Sequence, residues 1–220
     1  MFELMREAVD PTFDPGCRRC DRLACYLREV RKTYPEYHAA PVAPLGESGG
    51  RLLIVGLAPG MHGANATGRP FTGDHAGILL FQTLHSLGFC NQPKGDKVGD
   101  GLRLINCRIT NAVKCLPPAN KPSNKEINEC NRFLTADLKL LSRPGVVVAL
   151  GKIAHTAVLK ALNCRQRDFP FIHAAHYEVA TGLRLIDSYH CSRYNTQTKR
   201  LTKAMFKDVF SAAKRQLGRM

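Results

Sequence analysis

Four short apolar runs rich in β-branched residues, at 52–57, 102–110, 146–150 and 183–186, are each followed by a stretch with helical spacing, at 77–87, 124–140, 152–162 and 202–217. Apolar runs of this length, bounded by Gly and Pro rather than alternating with polar residues, read as strands buried on both faces. Strands buried in that way belong to parallel sheets covered by helices on either side. The last helix shows the covering pattern: Met205, Val209 and Ala213, beside Phe206 and Phe210, form one apolar face opposite Lys203, Lys207 and Lys214. The alternation predicts one α/β domain with a mostly parallel sheet. Such sheets take ligands beyond the carboxyl ends of their strands, so the loops after Leu57, Thr110, Leu150 and Tyr189 are the ones to examine. Residues 51–220 form the expected core. Residues 1–50 differ, with a Cys-rich turn, a helix expected over 22–34 and a Pro- and Gly-containing connector at 41–50.

With 32 Lys and Arg against 18 Asp and Glu, the chain carries a formal charge of +14. That balance points to a polyanionic partner, because a basic face binds phosphates through counterion release. A membrane is not expected. The longest uninterrupted apolar stretch, 146–150, is far short of the ~20 residues a span needs. The first residues carry Glu3 and Glu7 where a secretory signal would be basic and then apolar. A cytoplasmic location follows as the expectation, and there the nine cysteines are metal ligands, catalytic groups or core thiols rather than disulfides.

Cys17 and Cys20 form a Cys-x-x-Cys pair, while Cys115 and Cys130 flank a stretch rich in Pro, Asn and Lys. Two such pairs can close around one tetrahedral zinc or one iron–sulfur cube, and spacing alone leaves both open. A redox pair would expect a strand before the motif, and none is seen. Cys107 and Cys164 read as core thiols.

The loop from Gly56 to Gly77 holds the densest run of glycines in the chain, which lets backbone approach a ligand closely. It matches neither the phosphate-loop nor the dinucleotide fingerprint. Among its small residues stand one aromatic, Phe71, one carboxylate, Asp74, and two imidazoles, His62 and His75, a set suited to a flat polar ring. The fourth-strand loop places His190 among hydroxyls and cations, where an imidazole can donate near phosphates.

Three motifs go beyond spacing: Gly56-Leu-Ala-Pro-Gly60 with Gly68-Arg-Pro-Phe71-Thr-Gly-Asp74; Thr110-Asn111-Ala-Val-Lys-Cys115-Leu-Pro-Pro118; and His190-x-Ser192-x-x-Asn195-Thr. Together with the four cysteines, and in this order, they resemble the iron–sulfur uracil-DNA glycosylases, specifically the family 5 branch, over residues 17–200. The resemblance implies a three-layer αβα sandwich around a central four-stranded parallel sheet. It also implies a structural 4Fe–4S cluster on Cys17, Cys20, Cys115 and Cys130, making residues 1–50 a cluster-binding segment.

The implied activity is removal of uracil from DNA, leaving an abasic site. A stacked base cannot be reached, so the nucleotide must be rotated into a pocket. The resemblance gives Phe71 the stacking role and Asn111 the reading role. A carboxamide accepts from uracil N3–H and donates to O4, and cytosine reverses that pattern. His190 would donate to O2 as charge develops there. Where related enzymes often carry Asp or Asn, this chain has Ala58, so Asp74 becomes the candidate to orient water or stabilise the sugar cation. The alternative for Asp74 is an N-cap of the following helix. Met61 and His62 are expected to line the same pocket, which without a bulky phenol would also admit 5-hydroxymethyluracil or hypoxanthine. Ser192, Arg193, Tyr194 and Asn195 would probe DNA, with Lys199, Arg200 and Lys203 on phosphates. The rival reading is a non-catalytic basic metal-cluster module that binds nucleic acid, and a monomer is the expected state.

Overall fold

The computed structural model describes residues 13–46 and 48–218. A five-stranded sheet forms its centre: β1 (Leu52–Gly56), β2 (Cys107–Asn111), β3 (Gly145–Leu150), β4 (His176–Ala180) and β5 (Leu183–Ser188). The spatial order is β2-β1-β3-β5-β4. Strands β2, β1, β3 and β5 are mutually parallel, which realises the expected four-stranded parallel sheet, and β4 adds an antiparallel edge.

The apolar runs are buried on both faces because alternate residues serve different layers. Leu52, Ile54, Val146, Val148 and Ile186 pack against α3 (His75–Ser86) and α7 (Lys203–Gly218). Leu53, Val55, Val147, Ala149, Leu183 and Leu185 pack against α4 (Asn124–Lys139) and α5 (Lys152–Ala161), with Leu23 of α1 (Asp21–Thr33) joining them. Two short helices, α2 (Ala64–Thr67) and α6 (Arg193–Gln197), stand in the loops at the carboxyl end of the sheet. On α7, Phe206 is fully buried and meets Phe210 edge-on with ring centroids 4.9 Å apart. Phe206→Ala should therefore cost about 3–5 kcal/mol through lost transfer energy plus a cavity. Denaturant unfolding checks this as a lowered midpoint at unchanged slope.

Two expectations need correction. The run 102–110 becomes strand only from Cys107 onward, because Asn106 turns the chain with φ 52°. Leu104 instead makes an isolated bridge to Cys90, and Ile105 is half-exposed. Strand β4 had no apolar run to announce it: along its length only Val179 is buried, since its outer side faces solvent. The other parallel edge is covered, as Leu45 pairs with Ile109 of β2 through two backbone bonds of 2.9 and 2.8 Å. Among the described residues, no helix is long and apolar enough to cross a membrane.

Candidate active site

Gly56 and Asn111 end β1 and β2 as register partners, and the loops that follow open a pocket of about 470 Å³. Ala58, Phe71, Asp74, Asn111, His190 and Arg193 line it. Asn111 is buried, and among the described residues its carboxamide has no hydrogen-bond partner, so its donor and acceptor are both left to the pocket. The strand end beneath it is fixed by Asp137 of α4, which accepts from Thr110 Oγ1 at 2.7 Å, Lys114 Nζ at 2.9 Å and Arg108 Nε at 3.2 Å. Asn111 is thus held by a buried polar knot that spends none of its own atoms.

Phe71 is buried in the left-handed region at φ 59°, a conformation sparsely used by large side chains. It is held there by close packing. A Cβ at Gly56 would overlap both Asn111 Oδ1 and the Phe71 ring, and one at Gly77 would overlap the Phe71 carbonyl. The Phe71 and His190 rings lie 6.2 Å apart and 25° from parallel.

Asp74 occupies the N-cap position of α3 but makes no side-chain cap bond there. Its Oδ2 accepts instead from the Ala64 backbone N–H at 3.1 Å, at the start of α2. The alternative of a simple N-cap for α3 is therefore not what the carboxylate does. Gly60 and Gly63 make room for it, since a Cβ at either would strike the carboxylate. Burial pushes the Asp74 pKa up from the ordinary carboxylate value, with the Ala64 N–H opposing. His190 is also desolvated, and its pKa falls to about 4, so the ring is neutral at physiological pH. A neutral N–H donor and a carboxylate on one pocket suit a reaction that separates negative charge on a base from positive charge on a sugar.

The structure does not bring Met61 or His62 to this pocket. Met61 packs with Leu27, Val30 and three tyrosines under α1. His62 points away to pair its Nδ1 with the Tyr37 hydroxyl at 2.8 Å and stands edge-on to Tyr34 and Tyr37. Of the expected DNA-probing residues, Ser192 and Arg193 border the pocket and Tyr194 is exposed. Ser192 Oγ caps α6 by accepting from Asn195 N at 3.4 Å. Asn195 donates its Nδ2 to the His190 carbonyl at 2.8 Å, which braces His190. Lys199 ends α6 in a left-handed turn, and the Arg200 guanidinium lies 4.6 Å from the Tyr189 ring centroid.

Asn120 also reaches the pocket, which the sequence reading missed. Ala119 and Asn120 are consecutive non-glycine residues with φ 52° and 55°, and the only hint was the tolerance of Asn for left-handed turns.

Cys17, Cys20, Cys115 and Cys130 line one recess of about 20 Å³ with Leu23, Val113 and Phe133. Among the described residues, no three His, Cys, Asp or Glu side chains converge as the ligands of a single metal ion. Burial and the neighbouring sulfurs push the Cys20 thiol up to about 11 and that of Cys115 higher still. The recess is framed by ion pairs to α4 from α1 and from the turn before it: Arg19 Nε to Glu129 Oε1 at 2.5 Å and Arg22 of α1 to Glu126 at 2.7 Å. Glu126 and Ser123 also form a reciprocal capping box that starts α4 and so sets the position of Cys130.

Residues 43–214 match the family described as the uracil DNA glycosylase superfamily. The chain is 44% identical over 218 residues to the type-5 uracil-DNA glycosylase of Thermus thermophilus, covering 97% of this chain and 99% of that one. It is 40% identical to the type-5 enzyme of Pyrobaculum aerophilum, over 92% of this chain and 90% of the other. To the type-4 uracil-DNA glycosylase of Archaeoglobus fulgidus the identity is 29%, over 88% and 86%. The fold, the pocket beyond the strand ends and these likenesses agree: the chain belongs to the uracil-DNA glycosylase superfamily, and within it to the type-5 branch.

Proposed function

We propose that this protein removes uracil from DNA by hydrolysing the N-glycosidic bond of an extruded nucleotide. The observation that carries the reading is the gathering of Asn111, Phe71, Asp74 and His190 around one pocket, with the first two shaping a place for a flat base and the last two supplying a carboxylate and a neutral N–H donor. Asn111 accepts from N3–H and donates to O4. Phe71 supplies an apolar face, which adds affinity for any base and little discrimination. As the bond lengthens, charge collects on uracil O2, and the neutral His190 N–H donates to it. Asp74 faces the sugar side, where its carboxylate offsets the oxocarbenium-like charge and orients the attacking water. A pocket with Ala58 on its wall and no side chain from Met61 or His62 has room for larger lesions, so hypoxanthine and 5-hydroxymethyluracil are proposed as further substrates.

The four cysteines that line one recess are the donor type a 4Fe–4S cube takes. A cube carries its thiolates on separate irons, so the sulfurs surround a volume rather than meet at one point. When bound, the cluster would cross-link Cys17 and Cys20 before and at the start of α1 to the loop after β2 and to α4. This is a structural contribution, outside the reaction. Arg193, Tyr194 and Lys199 would meet DNA, and the protein would act as a monomer.

Incubation with end-labelled duplexes holding one uracil, one hypoxanthine or no lesion, followed by hot alkali, tests the reading. Alkali-labile breaks at the lesions alone are expected, and their ratio measures pocket width. Intact strands from every lesion, with duplex binding retained, would leave a nucleic-acid-binding module instead.

A further inference from the structure

Beside the base pocket lies a second cavity of about 430 Å³ that shares with it Phe71, Asp74, His75 and Arg193. Its floor is apolar. Ile78 stands on it with 56% of its surface exposed, Phe81 lies beneath, and Pro93 and Gly95 close it from the loop 91–101. Lys94 is exposed and lines this cavity alone, while Arg193, also exposed, lines both cavities. Of the two acids present, Asp74 is directed at the Ala64 N–H, and Asp96 sits on the rim, where a carboxylate can accept from an amino group of a base edge.

The loop that forms this wall is pre-shaped. Asp100 accepts from Arg69 Nη1 and Nη2 at 2.8 and 2.7 Å and from the backbone N–H groups of Asp96, Lys97 and Leu102. The guanidinium beside it holds the Asp100 carboxyl well below the usual carboxylate range. Arg69 is buried, and its Nε donates to Thr72 Oγ1 at 2.6 Å, so the wall with Lys94 and the loop with Phe71 share one anchor. At Gly95 the chain presses onto Phe81, where a Cβ would come within 2.6 Å of the ring. A groove held this way loses little freedom when it is filled.

We propose that this second cavity holds the nucleotide adjoining the extruded uridine on the same strand. Its base lies on Ile78 and Pro93, the phosphate linking the two nucleotides crosses at Arg193, and Lys94 meets the next one. The inference rests on the glycosylase reading for the identity of the first nucleotide. An apolar floor with a cation at each end matches the alternation of base and phosphate along a single strand. Its continuity with the base pocket puts the two within one linkage of each other.

The test uses single-stranded oligonucleotides with one uracil that keep a neighbour on its 5′ side, its 3′ side, both or neither, cut by the wild type, Ile78→Ser, Lys94→Glu and the remote charge control Lys207→Glu. Ile78→Ser and Lys94→Glu should each raise KM about ten-fold for substrates keeping the neighbour on one particular side, with kcat unchanged. They should leave substrates without that neighbour as they were, and Lys207→Glu should show no side dependence. Equal effects with and without neighbours, or none, would overturn the groove. Fluorescence anisotropy of the same oligonucleotides carrying a stable abasic analogue reads the groove without chemistry. A neighbour-dependent loss of affinity there, with no uracil released by any form, would sink the glycosylase reading and leave the groove standing.

Discussion

Replacing Asp74 with Asn should lower turnover on uracil-containing DNA by about a hundred- to a thousand-fold while leaving affinity for abasic duplex nearly intact. Asn has the shape of Asp and can still accept from the Ala64 N–H, so what disappears is the charge proposed to face the sugar. The pH profile carries a second signature. Burial raises the Asp74 pKa, so its carboxylate is complete only well above the ordinary value of 3.8 and is lost as the solution is acidified through the raised pKa. Activity in the wild type should therefore fall on the acid side earlier than a solvent-exposed carboxylate would dictate. Burial lowers the His190 pKa to about 4, so its ring is neutral above that. In Asp74→Asn the limb should vanish from what activity remains. Stability moves the other way. A carboxyl whose pKa is raised on folding favours the fold fully only below its unfolded pKa, and that contribution is gone once pH exceeds the folded one. At neutral pH the ionised Asp74 thus weighs against the fold, and Asp74→Asn should melt no lower than the wild type. Single-turnover rates across pH, with thermal melts of both proteins, check the two halves together. Undiminished single-turnover rates would remove Asp74 from the chemistry.

Gly63→Ala should come close to the same loss of turnover through geometry alone. The added methyl would occupy the space of the Asp74 carboxylate, so the acid must leave its place between α2 and α3. Overpacking of this kind costs about 1–3 kcal/mol. Gly218→Ala is the control, since a Cβ there meets nothing within 4 Å. The decisive comparison is the double variant Gly63→Ala with Asp74→Asn. If the methyl acts by displacing the carboxylate, the pair loses little more turnover than Asp74→Asn alone. Multiplying losses would mean that Gly63 matters for some other reason.

The buried strands were legible because residues facing the two helical layers are all apolar, so no register ambiguity arises at 52–56 or 145–150. The helices were legible from their faces, and their ends shifted by only a residue or two. Strand β4 was hidden because an edge strand with an open side has no need of an apolar run. The site divides in the same way. Phe71, Asp74, Asn111 and His190 sit in motifs whose order along the chain carries the resemblance, and the fold brings all four to one pocket. Met61 and His62 misled because a loop can turn neighbouring side chains to opposite sides, and the two tyrosines that draw His62 away are more than twenty residues earlier. The bond from Asn195 to the His190 carbonyl was not legible, because nothing in the sequence says which way a polar residue on a short helix turns. The Arg69–Asp100 tie joins segments 31 residues apart, and no local pattern announces such a pair.

The unequal treatment of the two sheet edges bears on how the protein keeps its own company. A bare edge strand is a template on which another chain can add, and sheets of this kind aggregate by that route. On the β2 side the Leu45 segment already occupies the template. On the other, β4 exposes Glu178 and breaks its register between Glu178 and Ala180, so an incoming strand meets a carboxylate and a misaligned ladder. Both edges are thus poor templates for strand addition, one bridged at Leu45 and the other irregular at Glu178–Ala180.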